Sequence, residues 1–311
     1  MTELDAAIAA HVAHLRNASL DDVLAGRVER PALQPALVPG VRAVDGRAGP
    51  HDIPVRWYLR DDASATLRPA IVWAHGGAWI AGDLDMPEAD AVARRLCARL
   101  DAVVCSVDYR LAPQYTHPAA LDDLLAAFDA TTAHPRVDAE RVVIGGASAG
   151  GTLAALAAQQ LRDRAADQPV AVVLAYPATN PAGGPYDAVR PDVCPPVLWL
   201  DRAVTAGAFA LYVGAESTDD TVETVAPAAH DLSGLPRTLV TTAAIDALAD
   251  QAVAYVETLR AAEVEVTHHL VDAVLHGYLN LTGVFPIADR ALDRHIEWIA
   301  AALTQRTEQL A

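Results

Sequence analysis

Gly146-Ala147-Ser148-Ala149-Gly150 fits the pattern G-x-S-x-G, in which a strained strand-to-helix turn lifts a serine hydroxyl above a sheet. A serine is a weak nucleophile at neutral pH, so it needs a base, and a carboxylate must orient that base. The chain order expected for this turn is serine, acid, histidine. Downstream of Ser148, His276 stands just past an apolar run, in Leu275-His276-Gly277-Tyr278, where a glycine leaves room beside the ring. His268 and His269 fall inside that run and are expected in the core or at an edge, and His295 is expected on the surface of the last helix. Asp246 is the expected acid, because it follows the run Arg237–Thr241 at once. Asp250 suits the start of the next helix, and Asp272 lies too near its strand end to reach round to the far ring nitrogen. His75-Gly76-Gly77-Ala78-Trp79 offers closely spaced backbone N–H groups to an oxyanion, with His75 as an anchor of the loop. Nucleophile, base, acid and oxyanion donors together are the equipment of acyl transfer.

Such groups must be held at one end of a rigid frame. From Ile71 onward short β-branched runs alternate with longer helical ones. Ala70–Ala74, Ala102–Val107, Arg141–Gly145, Val170–Ala175, Arg237–Thr241 and Val264–Val271 read as strands. Ala89–Leu100, Ala119–Thr131, Gly151–Ala165, Gln251–Ala261 and Asp289–Leu303 read as helices. Continuous apolar strands alternating with helices predict a mostly parallel, doubly wound α/β sheet with helices on both faces. Two segments break the rhythm: an amphipathic stretch over Met1–Asp21, and Pro181–Pro227, which is helical around Asp201–Val213. Together they are expected to form a discontinuous lid, since a structureless loop of that length is improbable in a compact domain.

Composition narrows the chemistry. All 23 basic residues are Arg, against 40 acidic ones, for a net charge of −17. Without lysine there is no Schiff base, no phosphate-binding loop ending in Gly-Lys-Ser/Thr and no kinase strand lysine. The acidic balance argues against a nucleic-acid partner. Cys97, Cys105 and Cys194 form an odd set without C-x-x-C spacing, so neither a disulfide framework nor a thiolate zinc site is expected. His11 and His14 share a helical face, but two ligands without a third do not make a metal site. The acidic start and the lack of an apolar run of about 18 residues suggest a soluble, cytoplasmic protein with no membrane span.

At four motifs the chain resembles the hormone-sensitive-lipase-like family of α/β-hydrolases, the bacterial carboxylesterases. The family's His-Gly-Gly-Gly appears as His75-Gly76-Gly77-Ala78, and its elbow as Gly146-Ala147-Ser148-Ala149-Gly150-Gly151. Its acid motif appears as Asp246-Ala247-Leu248-Ala249-Asp250 and its His-Gly-Phe as His276-Gly277-Tyr278. The stretch Asp108-Tyr109-Arg110-Leu111-Ala112-Pro113-Gln114 matches a further family segment. The resemblance implies a triad of Ser148, Asp246 and His276, an oxyanion hole from Gly76, Gly77 and Ala149, and no metal or organic cofactor. It implies cap helices in residues 1–39, a core over 40–180, a cap insertion over 181–227 and the rest of the core over 228–311. It also implies a small-molecule ester as substrate and a homodimer. Ala78, Trp79, Tyr109, Trp199 and Tyr278 are the expected substrate-pocket residues. Four departures bear on specificity: Ala78, Ala147, Gln114 and Tyr278. Gln114 lacks a charge that a neighbouring Arg would otherwise meet.

Overall fold

Two strands with no clear mark in the sequence open the sheet. Val41–Ala48 (β1) and Ile53–Arg60 (β2) pair antiparallel, with Val41 opposite Arg60 and Ala48 opposite Ile53. In β1 the inward and outward positions alternate roughly by two, and Arg42, Asp45 and Arg47 dilute its apolar signal. The computed structural model describes residues 3–18, 35–36, 38–62, 66–164, 167–181, 192–214 and 224–310. Residues 1–2, 19–34 and 37 of the expected N-terminal cap, and residues 182–191 and 215–223 of the expected insertion, lie outside the described residues.

Six further strands follow: Arg68–Ala74 (β3), Val103–Val107 (β4), Val137–Ala147 (β5), Ala171–Ala175 (β6), Thr238–Ile245 (β7) and Val266–Leu275 (β8). The sheet has eight strands in the order β1-β2-β4-β3-β5-β6-β7-β8, antiparallel at β1, β2 and β4 and parallel from there on. Every residue of β4 and β6 is buried, as strands covered on both faces must be.

The pleat sends alternate side chains to opposite faces and so builds two cores. Val72, Ile144, Val172 and Val240 meet Ala119–Thr132 (α3), Ala149–Asp163 (α4) and Ala249–Ala261 (α6) through Phe128, Leu153 and Tyr255. Ile71, Trp73, Val143 and Leu239 meet Asp90–Leu100 (α2) and Pro286–Leu310 (α7) through Leu96, Leu292 and Ile299. Two helices stand outside the strand–helix alternation. Ala6–Val12 (α1) is capped by Asp5, which accepts from the Ala7 and Ile8 N–H groups, and buries Ile8 and Val12 in the α2/α7 core. Arg202–Val213 (α5), capped by Asp201, buries Phe209 and Tyr212 in the opposite core. Among the described residues no helix is long and apolar enough to cross a membrane. Cys97, Cys105 and Cys194 are buried free thiols, each pushed up to about 12 by burial.

Candidate active site

Ser148 sits between β5 and α4 with φ 52° and ψ −120°, a positive-φ conformation that costs a non-glycine residue about 1–3 kcal/mol. Its N–H donates to the Ala175 carbonyl at 2.8 Å, fixing the turn against β6. The flanking glycines are required sterically. A Cβ at Gly146 would lie 2.4 Å from the Gly150 oxygen, and one at Gly150 would lie 2.2 Å from the Ala74 oxygen.

Asp246 follows β7 and His276 follows β8, so the parallel sheet delivers both to the same end as Ser148. His276 Nδ1–H donates to Asp246 Oδ2 at 2.8 Å, and Ser148 Oγ–H donates to His276 Nε2 at 2.9 Å. The second carboxylate oxygen of Asp246 accepts from the Leu248 N–H at 2.9 Å, and Asp246 is only 3% exposed. Burial opposes protonation of His276, but the charge and hydrogen bond of Asp246, with the charge of Glu88, outweigh it and raise the pKa above the ordinary histidine value.

The loop after β3 lies against this constellation. His75 is fully buried, its Nδ1 is 2.6 Å from the Gly76 oxygen, and its ring stacks on Tyr109 at 4.4 Å. Burial lowers its pKa, keeping it neutral, in keeping with an anchor. Gly76 departs from expectation. Its N–H, expected as an oxyanion donor, is instead taken by Glu88 Oε1 at 2.6 Å. Gly77 at φ 117°, Ala78 at φ 55° and Trp79 at φ 61° continue the loop at positive φ. A Cβ at Gly77 would lie 2.0 Å from the Ala81 oxygen.

A cavity of about 210 Å³ opens beside Ser148 and His276. Gly77, Ala78, Trp79 and Ala149 line its floor with Ser148, and Val204, Thr205, Ala208 and Phe209 of α5 form a wall, with Leu200 and Leu248 beside them. The Thr205 hydroxyl donates to the Leu200 carbonyl at 3.1 Å, which leaves the wall essentially apolar. Of the expected pocket residues, Ala78 and Trp79 line the cavity and three do not. Tyr109 lies behind His75, donating to its carbonyl at 2.9 Å. Trp199 turns away and donates to the Cys194 carbonyl at 2.8 Å, while its neighbour Leu200 faces the cavity. Tyr278 is buried against Tyr176, its hydroxyl 2.9 Å from Thr241 Oγ1.

Other residues find different places. His295 is buried, 1% exposed, with Nε2 3.0 Å from Thr241 Oγ1, which corrects its expected surface position. His268 Nε2 is 2.9 Å from Thr242 Oγ1, within β8 as expected. Arg110, which faces no acid at position 114, pairs with the buried Asp123 at 2.7 Å. Glu88, which belongs to none of the sequence motifs, is 1% exposed beneath the loops of Gly76 and His276. Set among Asp83, Asp85 and Asp90, it carries no local signal to separate it from surface acids.

Comparison with known proteins agrees with this architecture. A family model described as alpha/beta hydrolase fold matches residues 71–280. The chain is 36% identical over 291 residues to carboxylesterase NlhH of Mycobacterium tuberculosis, covering 91% of this chain and 89% of that one. It is 31% identical over 316 residues to arylacetamide deacetylase of Oryctolagus cuniculus, covering 80% of this chain and 78% of the relative. The solved structure of an esterase from Pyrobaculum calidifontis superposes with a TM-score of 0.79 at 28% identity, covering 96% of this chain and 98% of that one. With the fold, the elbow and these matches in agreement, the chain belongs to the hormone-sensitive-lipase-like family of the α/β-hydrolases.

Proposed function

We propose that the protein is a serine carboxylesterase acting on small, soluble esters of short to medium chain through an acyl-enzyme. The observation that carries this reading is the pair of hydrogen bonds joining Ser148, His276 and Asp246 in one line. His276 takes the Ser148 proton as Oγ attacks the ester carbonyl, and Asp246 holds the ring and stabilises its cation. The carbonyl oxygen, now negative, is met by the N–H groups of Gly77, Ala78 and Ala149, one such donor contributing about 3 kcal/mol or more. Ala78 takes the place first expected of Gly76, since Gly76 donates to Glu88. His276 returns the proton to the departing alcohol, and water releases the acid by the same steps. The apolar wall and modest volume of the cavity favour an uncharged acyl chain of limited length.

Incubation with an organophosphonate tests the reading: a single adduct on Ser148 is expected, and labelling elsewhere or nowhere overturns it. Ser148→Ala and His276→Ala should each lower kcat on p-nitrophenyl esters by about 10³-fold or more. Retained turnover would place the chemistry at another site. The similarity to a relative named arylacetamide deacetylase favours a second reading, amide cleavage by the same residues. Matched anilides run beside the esters separate the two: anilide cleavage that Ser148→Ala abolishes supports the second reading, and its absence overturns it.

A further inference from the structure

Glu88 is a buried carboxylate that the mechanism above does not use. It lies just before α2 and is not among the cavity-lining residues, so it does not meet substrate. Three donors from three segments converge on it. The Gly76 N–H reaches Oε1 at 2.6 Å, the Tyr176 hydroxyl reaches Oε2 at 2.5 Å and the Asn280 amide reaches Oε2 at 3.2 Å. Its backbone is bound as well, the carbonyl accepting from Trp73 Nε1 at 3.0 Å and the N–H donating to Asn280 Oδ1 at 3.4 Å.

Each of these partners leads to a reacting group. Gly76 is wedged between Glu88 and the nucleophile: a Cβ there would stand 2.6 Å from Glu88 Oε1 and 3.1 Å from Ser148 Cβ. The next residues in the chain, Gly77 and Ala78, carry two of the three proposed oxyanion donors. Tyr176 sets the edge of its ring on His276, centroids 4.9 Å apart at 67°, and its oxygen accepts from the Leu279 N–H at 3.3 Å. Asn280 belongs to the short 3₁₀ turn Tyr278–Leu281, which follows His276 directly after Gly277. A carboxylate is an expensive filler, since taking it out of water costs several kcal/mol unless hydrogen bonds compensate. An apolar side chain would fill the space more cheaply but would strip the Gly76 N–H of its acceptor, leave the Tyr176 hydroxyl with nothing to donate to, and leave the Asn280 amide only its bond to the Gly277 carbonyl.

We propose that Glu88 is the positioning residue that holds the oxyanion loop and the His276 loop in mutual register. The assignment rests on the ester-hydrolase reading above. Oxyanion donors act chiefly in the transition state, so a loop out of place lowers kcat with little effect on KM.

The test compares Glu88→Ala, Glu88→Gln and Tyr176→Phe with the wild type on a short p-nitrophenyl ester and on an alkyl trifluoromethyl ketone. The ketone carbon bonds to Ser148 Oγ, its carbonyl electron pair becomes an oxyanion, and the serine proton passes to His276, so its Ki reads the hole directly. In Glu88→Ala, kcat should fall about 30- to 100-fold with KM within about threefold, and Ki should rise by the factor that kcat/KM loses. Glu88→Gln keeps an oxygen for the Gly76 N–H and should recover to within about tenfold of wild type. If Glu88→Ala does not fold, Glu88→Gln and Tyr176→Phe must each show a kcat loss at steady KM. Unchanged kcat in the folded variants, or a change in KM alone, overturns the assignment while the wild type remains an esterase. A wild type inert to both ester and ketone overturns the ester-hydrolase reading and the assignment with it.

Discussion

Trp79, in the loop after β3, lies flat against Tyr212 of α5, with ring centroids 4.7 Å apart and planes 10° from parallel. Phe209, one turn earlier on α5, meets the same indole at 4.7 Å and 53°. Trp79 adjoins Ala78, a proposed oxyanion donor, so the helix that walls the cavity also braces the hole. In the proposed mechanism, acyl binding and transition-state stabilisation therefore share one aromatic contact.

Removing the tyrosine ring should expose that coupling. Tyr212→Ala is expected to lower stability by about 3–5 kcal/mol and kcat by about tenfold. Tyr212→Phe keeps the stack and gives up only the hydroxyl, 3.3 Å from His117 Nδ1, and should cost about 1 kcal/mol at most. Thermal unfolding and steady-state kinetics on both variants check this; equal effects would place the contribution in the hydroxyl.

Phe209 is among the largest side chains lining the cavity. Phe209→Ala should move acyl preference toward longer chains, raising kcat/KM for a long p-nitrophenyl ester at least about tenfold relative to a short one. A profile that drops uniformly with chain length unchanged would show that Phe209 supports α5 without sizing the pocket.

The pH dependence expected of the proposed mechanism follows from His276, which must be neutral there to accept the Ser148 proton. Against the burial that opposes it, Asp246 and Glu88 stabilise the protonated ring, so its folded pKa is raised. Activity should therefore fall on acidification with a midpoint above that of an unperturbed imidazole, about 6.5. Asp246→Asn removes the main charge, so any residual activity should have its acid limb displaced to lower pH. A limb that stays in place would assign the titration to another group.

Glycine substitutions should divide sharply by place. At Gly207, on the exposed side of α5, a Cβ meets nothing within 4 Å, so Gly207→Ala should add roughly 0.5–1 kcal/mol of stability. At Gly150 the same methyl would strike the Ala74 and His75 oxygens at 2.2 and 2.4 Å, and Gly150→Ala should abolish the folded elbow. Expression and thermal denaturation of the two variants decide the point.

What can be read in the sequence is whatever local pattern encodes. Ser148, Asp246 and His276 each follow directly on a strand of the parallel run, and that placement brings them together. β1 is hard to see because an edge strand can expose half its residues, and its arginines and Asp45 look like loop. The burial of His295 is legible in the helical period, although its polarity suggests the surface: it lies with Leu292, Ile296 and Ile299 on the buried stripe of α7. The roles of Gly76 and Glu88 are not legible, because their meeting depends on how the β3 loop folds back over the start of α2. Trp199 yields its place at the cavity to its neighbour Leu200, a choice of side-chain direction that composition does not encode.

The strand order carries a consequence for how the molecule acquires its activity. Two of the proposed oxyanion donors follow β3, the third and the proposed nucleophile follow β5, the proposed acid follows β7 and the proposed base β8, and these strands are joined through β6. No fragment short of that whole parallel run contains a working set. Because distant pairings pay their loop-closure entropy before they are rewarded, such a sheet assembles slowly. On dilution from denaturant, helical signal should return well before turnover, which makes ester cleavage a reporter of the last strand to dock.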